Sequence, residues 1–362
     1  MSDRGAGRLS RIAAVAPVLP PYAYPQEQIA AGFADLVLPA GQDPRVLLRL
    51  HAASGVRRRH LAMPLEEYAG LDGFGSANDV FIRVGADLAE RAVQQALDSA
   101  GLAAGDVDLV LATSVTGIAA PSLEAMLVPR LGLRRDVKRL PTFGLGCVAG
   151  AAGLARVHDY LRGDPDGVAV LLSVELCSLT LQRDDTSSAN LVASGLFGDG
   201  AAAVVMVGER RARDLGIDGP DVVATRSLLY PDTESLLGWS IGGGGFRIVL
   251  SANISDLVER SLGEDVRDFL EEHELKPVDL ARWVVHPGGP KVLDATALAL
   301  DLDDDALALS RASLADRGNL SSASVLHILA DTLDGPSPMP GEHALVIAMG
   351  PGFSVELVLV RW

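Results

Sequence analysis

Cysteine is scarce. Cys147 and Cys177 are the only two in 362 residues, too few for a disulfide framework in a chain this size, so a reducing compartment is expected. Basic charge is also short. Lys and Arg number 31 against 47 Asp and Glu, a net charge of −16, which leaves no basic excess for a nucleic-acid partner. No apolar run approaches the roughly 18 residues that span a bilayer. Arg4, Arg8 and Arg11 followed by Ile12 to Leu19 imitate a short signal peptide. Pro17, Pro20 and Pro21 interrupt that run, and no small-residue cleavage site follows. An opening β-strand and a soluble, cytoplasmic protein are expected instead. Clustered Cys and His ligands are lacking, so no metal is expected.

What is present alternates between helical and strand periodicity, the pattern of an α/β fold. A helix is predicted over residues 77–100, with Val84, Leu88, Ala92, Ala96 and Leu97 on one face and Gly101 as C-terminal cap. Strands are predicted over 107–113, 168–174 and 201–207, with a helix opening near Cys147. The second half repeats this order: a helix over 254–275, a strand over 278–285 ending at His286, a helix opening near Asn319, and a strand over 344–349. The glycine run 242–245 reads as a tight turn.

The echo is sharpest locally. Gly146-Cys147-Val148-Ala149-Gly150 and Gly318-Asn319-Leu320-Ser321-Ser322 each set a chemically useful residue after a glycine and before small residues. Val107-Asp108-Leu109 likewise echoes Val278-Asp279-Leu280. A duplicated α/β unit follows, with halves 1–215 and 216–362, divided near the charged stretch Glu209 to Asp214. Two matching helix N-termini would then meet at one site.

Cys147 sits in a glycine-rich strand-to-helix turn, where the positive end of a helix is expected to lower its thiol pKa. The plainer reading, a small buried hydrophobe, is commoner for one cysteine, and it is preferred for Cys177. His286 ends an apolar strand and precedes the rigid turn Pro287-Gly288-Gly289-Pro290, where α/β enzymes hold ligands. His51, His60, His158, His273 and His343 read as structural or solvated, and His327 as packed within a helix. Asn319 is either a helix cap or an amide donor opposite Cys147. Gly144-Leu145-Gly146-Cys147-Val148-Ala149-Gly150, with Glu175 ending the next strand, imitates a dinucleotide fingerprint. A cysteine inside the turn and an echo of it in the second half argue against that reading.

Taken together, these residues resemble a bacterial type III polyketide synthase, the chalcone synthase-like branch of the thiolase superfamily. The resemblance rests on Phe143-Gly144-Leu145-Gly146-Cys147, Leu196-Phe197-Gly198-Asp199-Gly200, His286-Pro287-Gly288-Gly289-Pro290, Gly318-Asn319-Leu320-Ser321-Ser322 and Gly350-Pro351-Gly352. The segment from Cys177 through Thr180 to Asp185, leading into Asn190 to Ser194, is more like bacterial alkylresorcinol and alkylpyrone synthases than plant enzymes.

The resemblance implies a five-layered αβαβα thiolase-like fold, a homodimer and a catalytic triad of Cys147, His286 and Asn319. It also implies gatekeepers Phe197 and Phe246, Thr180 at the cavity, and CoA thioesters as substrates with no other cofactor. A polyanionic CoA needs a local basic patch on so acidic a chain. The cluster Arg45, Arg49, Arg57, Arg58 and Arg59 is expected to supply it, with Arg49 on the phosphates and Lys291 contributing. A solvated basic helix end is an equal reading of Arg57 to Arg59. Ala120 and Leu237 depart from the plant pattern at the dimer interface and cavity floor, so aromatic starters are not expected. The resemblance implies a fatty acyl-CoA starter, malonyl- or methylmalonyl-CoA extenders and an alkylresorcinol or alkylpyrone product. The rival readings are a ketoacyl synthase of fatty-acid initiation and a catalytically silent binding protein.

Overall fold

The computed structural model describes residues 9–303, 305–336 and 338–362; Arg4 and Arg8 lie outside them. The first half runs β1 (Ser10–Val18), β2 (Tyr22–Pro25), α1 (Gln26–Val37), α2 (Arg45–Ala52), β3 (Arg58–Leu61), α3 (Phe74–Ala100), β4 (Leu109–Thr113), α4 (Leu123–Leu131), β5 (Lys138–Thr142), α5 (Ala149–Gly163), β6 (Val168–Leu176), α6 (Ser188–Leu196), β7 (Asp199–Gly208) and α7 (Glu209–Leu215). The second continues with β8 (Asp221–Leu229), β9 (Leu237–Gly242), β10 (Gly245–Leu250), α8 (Ile254–Glu271), β11 (Leu280–Val285), α9 (Pro290–Leu300), α10 (Ala308–Arg317), α11 (Ser322–Asp334), β12 (His343–Gly350) and β13 (Ser354–Arg361).

Nine strands join in the order β11-β12-β13-β8-β1-β7-β6-β4-β5. About the β1–β8 contact the order is nearly palindromic. Antiparallel β1–β7 and β7–β6 with parallel β6–β4 are answered by antiparallel β8–β13 and β13–β12 with parallel β12–β11. β1 and β8 pair only through Ser10, Arg11, Val222 and Asp221. The run read from sequence as an opening strand is thus β1, inside the sheet.

Strand alternation sorts the side chains into layers. On β6, Val168, Val170, Leu172 and Val174 share a core with Leu88, Ala92 and Leu97 of α3. On β12, Leu345, Ile347 and Met349 pack with Val258, Leu262, Val266 and Phe269 of α8. The opposite faces, Ala169 and Leu171 on β6 and Ala344, Val346 and Ala348 on β12, meet Leu154 and Val157 of α5 and Leu326 and Leu329 of α11. Outer helix, sheet, central helices, sheet and outer helix make the five-layered αβαβα arrangement. Each fully buried leucine contributes about 1.5–3 kcal/mol, so the two central helices are held from both sides. At their crossing a Cβ on Gly150 would come within 2.3 Å of the Ser322 carbonyl oxygen, so only glycine permits the approach.

Several elements differ in extent from the periodicity. α3 starts at Phe74, α8 stops at Glu271 and β11 starts at Leu280. The glycine run is the tip of a hairpin, since β9 and β10 pair antiparallel around it as a separate two-stranded sheet. Among the described residues no helix is long and apolar enough to cross a membrane.

Candidate active site

Cys147 occupies a single helical turn, Gly146–Val148, that leads into α5. The turn requires glycine at its start: Gly146 has φ +56°, and an added Cβ would stand 2.6 Å from the Pro351 ring. The segment Gly350–Pro351 therefore presses on the turn that carries the thiol. The sulfur lies 3.5 Å from Ser321 Oγ. Ser321 itself has φ +50°, a left-handed conformation that costs a non-glycine residue about 1–3 kcal/mol. Cys147 and Ser321 line one cavity with Cys177, Phe197, Trp239 and Ile248.

Burial pushes the Cys147 thiol up to about 12. The Ser321 hydroxyl pulls the other way, and the buried Glu175 carboxylate adds to the rise. This direction is opposite to the lowering expected from a helix end. The residue is half-buried, and desolvation of its thiol outweighs the local field. Glu175 accepts from the Val115 amide at 3.1 Å, from Thr116 Oγ1 at 2.9 Å and from the Ser322 hydroxyl, and burial raises its own pKa.

His286 follows β11, and its backbone amide donates to the Ile347 carbonyl at 2.8 Å. The side chain is 1% exposed, and its Nδ1 has no hydrogen-bond partner. Burial lowers its pKa to about 3, so the imidazole is neutral at physiological pH. Asn319 precedes α11. Its Oδ1 accepts from the Ser321 amide at 2.8 Å, and its Nδ2 donates to the Gly288 carbonyl at 3.5 Å. Its backbone donates to the Leu196 carbonyl at 2.9 Å and accepts from the Gly198 amide at 3.0 Å.

These contacts form a chain. Asn319 touches the loop after His286 on one side and the residue that reaches Cys147 on the other. Among the described residues no direct hydrogen bond joins Cys147 to His286 or Asn319, and those two lie outside the walls of the sulfur's cavity.

Phe197 forms an isolated bridge with Asn319 and lines the sulfur's cavity. Phe246 does not line it. It is buried among Phe74, Phe143 and Trp239, with ring centroids 5.4, 6.0 and 6.0 Å away. Trp239, which sequence reasoning passed over, is the aromatic at the sulfur's cavity from that hairpin, and Leu237 lies there too. Thr180 Oγ1 donates to the Cys177 carbonyl at 2.7 Å. The threonine lines an adjoining cavity that shares Cys177, Phe197, Trp239 and Ile248 with the first.

Of the expected CoA-binding residues, Arg45, Arg49, Arg58 and Lys291 are all exposed. Arg45 pairs with Asp43 at 2.5 Å and, with a weaker contribution from Arg49, lowers that carboxyl's pKa. Arg58 lies 4.0 Å from Asp316. A Cβ on Gly55 would stand 3.1 Å from Pro290, so the segment before Arg58 abuts the turn carrying Lys291. Arg59 is a correction to the surface cluster: it is 1% exposed. Strand alternation across β3 turns it inward, a signal that its Arg-Arg-Arg run hid. In the sequence Ser321 stands out only as part of the repeat, and Glu175 only as the mimic of a ribose ligand.

Residues 221–362 match the chalcone and stilbene synthases, C-terminal domain, and residues 85–216 match the FAE1/type III polyketide synthase-like proteins. The chain is 58% identical over 360 residues to a 1,3,6,8-tetrahydroxynaphthalene synthase of Streptomyces peucetius subsp. caesius, covering 99% of this chain and 94% of that one. It is 32% identical over 321 residues to a phloroglucinol synthase of Pseudomonas fluorescens, covering 88% and 90%. The crystal structure of the 1,3,6,8-tetrahydroxynaphthalene synthase of Streptomyces coelicolor superposes with a TM-score of 0.90 at 32% identity, over 97% of this chain and 99% of that one. These matches do not favour a ketoacyl synthase of fatty-acid initiation.

Proposed function

Because this chain belongs to the type III polyketide synthases, acyltransferases that use CoA thioesters, we propose that it builds a polyhydroxylated naphthalene from malonyl-CoA alone. The observation that carries this reading is the 58% identity, over nearly the whole chain, to an enzyme named for tetrahydroxynaphthalene. That ring system holds ten carbons, five two-carbon units, and bears no alkyl tail. The reading therefore replaces the fatty acyl starter and the alkylresorcinol or alkylpyrone product with malonyl units throughout.

In this scheme the neutral His286 imidazole takes the Cys147 proton as the sulfur attacks the thioester carbonyl. The carbon–sulfur bond to CoA breaks, and CoA leaves with that proton. A second malonyl-CoA then loses CO2. Negative charge gathers on its thioester oxygen, where N–H groups of His286 and Asn319 donate. The enolate carbon attacks the Cys147-bound acyl group, and sulfur departs as the new carbon–carbon bond forms. A neutral imidazole can serve both steps, first as acceptor of the thiol proton and then as an N–H donor. Phe197 with Thr180 shapes the cavity, Phe246 backs its wall through Trp239, and Arg45, Arg49, Arg58 and Lys291 receive the CoA phosphates. We further propose that the working form is a cytoplasmic homodimer.

The test is to incubate the purified protein with malonyl-CoA, with and without a fatty acyl-CoA, and to weigh the products. A ten-carbon aromatic from malonyl-CoA alone is expected. Products formed only with the fatty starter, and carrying its chain, would refute the proposal.

A further inference from the structure

Among the described residues no carboxylate touches the buried Arg59. Its Nε donates to Gln26 Oε1 at 3.0 Å and its Nη1 to the Phe197 carbonyl at 2.5 Å, while Nη2 is buried with no partner. Asp199 is near enough to act on its charge, yet the Asp199 oxygens are taken by the Ala62 amide at 2.6 Å, the Ser178 amide at 2.8 Å and the Ser178 hydroxyl. Among the described residues Arg59 makes no ion pair.

The side chain lines the cavity it shares with Thr180, Asn190, Ser194 and Phe197, which abuts the cavity of Cys147. Of the other polar side chains there, the hydroxyls and the Asn190 amide are already engaged. Thr180 binds the Cys177 carbonyl, Asn190 the Gln182 and Asp185 carbonyls, and Ser194 the Leu191 carbonyl and His51. The cation carries a fully buried unsatisfied donor, and a buried cation lacking its full set of acceptors is costly.

We propose that Arg59 is a carboxylate-recognition site for the free end of the chain carried on Cys147. This rests on the malonyl-priming reading above. A malonyl group held through its thioester on Cys147 keeps a carboxylate at its other end. A charge-assisted hydrogen bond from Nη2 to that carboxylate would complete the arginine's bonding and orient the first unit. A neutral acyl starter offers no such partner. The fixed contact with the Phe197 carbonyl holds the guanidinium beside the gate.

The experiment compares priming by malonyl-CoA with priming by acetoacetyl-CoA, a neutral analogue of similar shape, with malonyl-CoA extending both. Products are distinguished by mass. In Arg59→Gln the ratio of malonyl-primed to acetoacetyl-primed product should fall roughly 10- to 100-fold, and Arg59→Lys should restore most of it. Ala193→Asp, which places a carboxylate in the same cavity, should lower the ratio with Arg59 intact and covers failure of the first variant to fold. Equal loss of both products, or an unchanged ratio, would overturn the proposal and leave Arg59 as a brace for Phe197. Wild-type protein that makes nothing from malonyl-CoA alone would instead sink the proposed function.

Discussion

The turn before α5 and the turn before α11 are the two versions of one device, and they have been put to different uses. Each follows a glycine with positive φ, Gly146 at +56° and Gly318 at +74°, and each feeds a helix of the central layer. In the first turn the side chain after the glycine faces a cavity and meets one hydroxyl. In the second, the residue after the glycine is tied through its backbone to Leu196 and Gly198 and through its side chain to Ser321 and Gly288. Duplication supplied two equivalent scaffolds. The residue after the glycine is a thiol in the first and a carboxamide in the second, which the proposed function puts to covalent work and to hydrogen-bond donation.

The hardest way to break this comparison is Cys147→Ala. It should cut product formation by more than about a thousandfold while leaving the circular dichroism spectrum unchanged; retained turnover would remove the thiol from its role. Next comes Asn319→Asp, which keeps an oxygen for the Ser321 amide and loses the Nδ2 donor. CO2 release from malonyl-CoA should drop about 100- to 1,000-fold with little change in melting temperature. Near-normal release would mean that Asn319 is only a loop brace.

The third test concerns ionisation. With its pKa pushed to about 12, Cys147 holds a vanishing thiolate fraction at neutral pH, and that fraction grows about tenfold per pH unit. Iodoacetamide labelling of Cys147, followed by peptide mapping, should climb without a plateau from pH 7 to 10. A plateau near pH 7 would show that the helix end or His286 governs the sulfur after all. Gly150→Ala probes the scaffold instead. Its methyl would meet the Ser322 carbonyl and should destabilise the fold by about 1–3 kcal/mol, read as an earlier denaturant midpoint. The smallest effect is expected of Ser321→Gly. Relief of the left-handed backbone should stabilise by about 1 kcal/mol, while product formation falls by no more than a few-fold. A lower melting temperature would mean that the serine hydroxyl outweighs the strain.

Much of this architecture was legible in the chain. The apolar stripe on α3 with Gly101 behind it, the strand ending at His286 and the paired Gly-Cys and Gly-Asn turns are local signals, because periodicity and backbone freedom act over a few residues. The hairpin β9–β10 was harder to see. Its tip read as a turn, but its two arms pack on neighbours distant in sequence, so Trp239 went unnoticed at the cavity. Arg59 failed for the same reason: three arginines in a row look alike until β3 turns the third inward.

The sequence by itself determined the α/β duplication, the family and the residue types a condensing enzyme needs. Only the tertiary structure decided their states: a protonated Cys147, a neutral His286, and a buried guanidinium with one donor unspent. Ionisation and unmet hydrogen bonds depend on which distant segments exclude water from a group, and that is a property of packing rather than of neighbours along the chain.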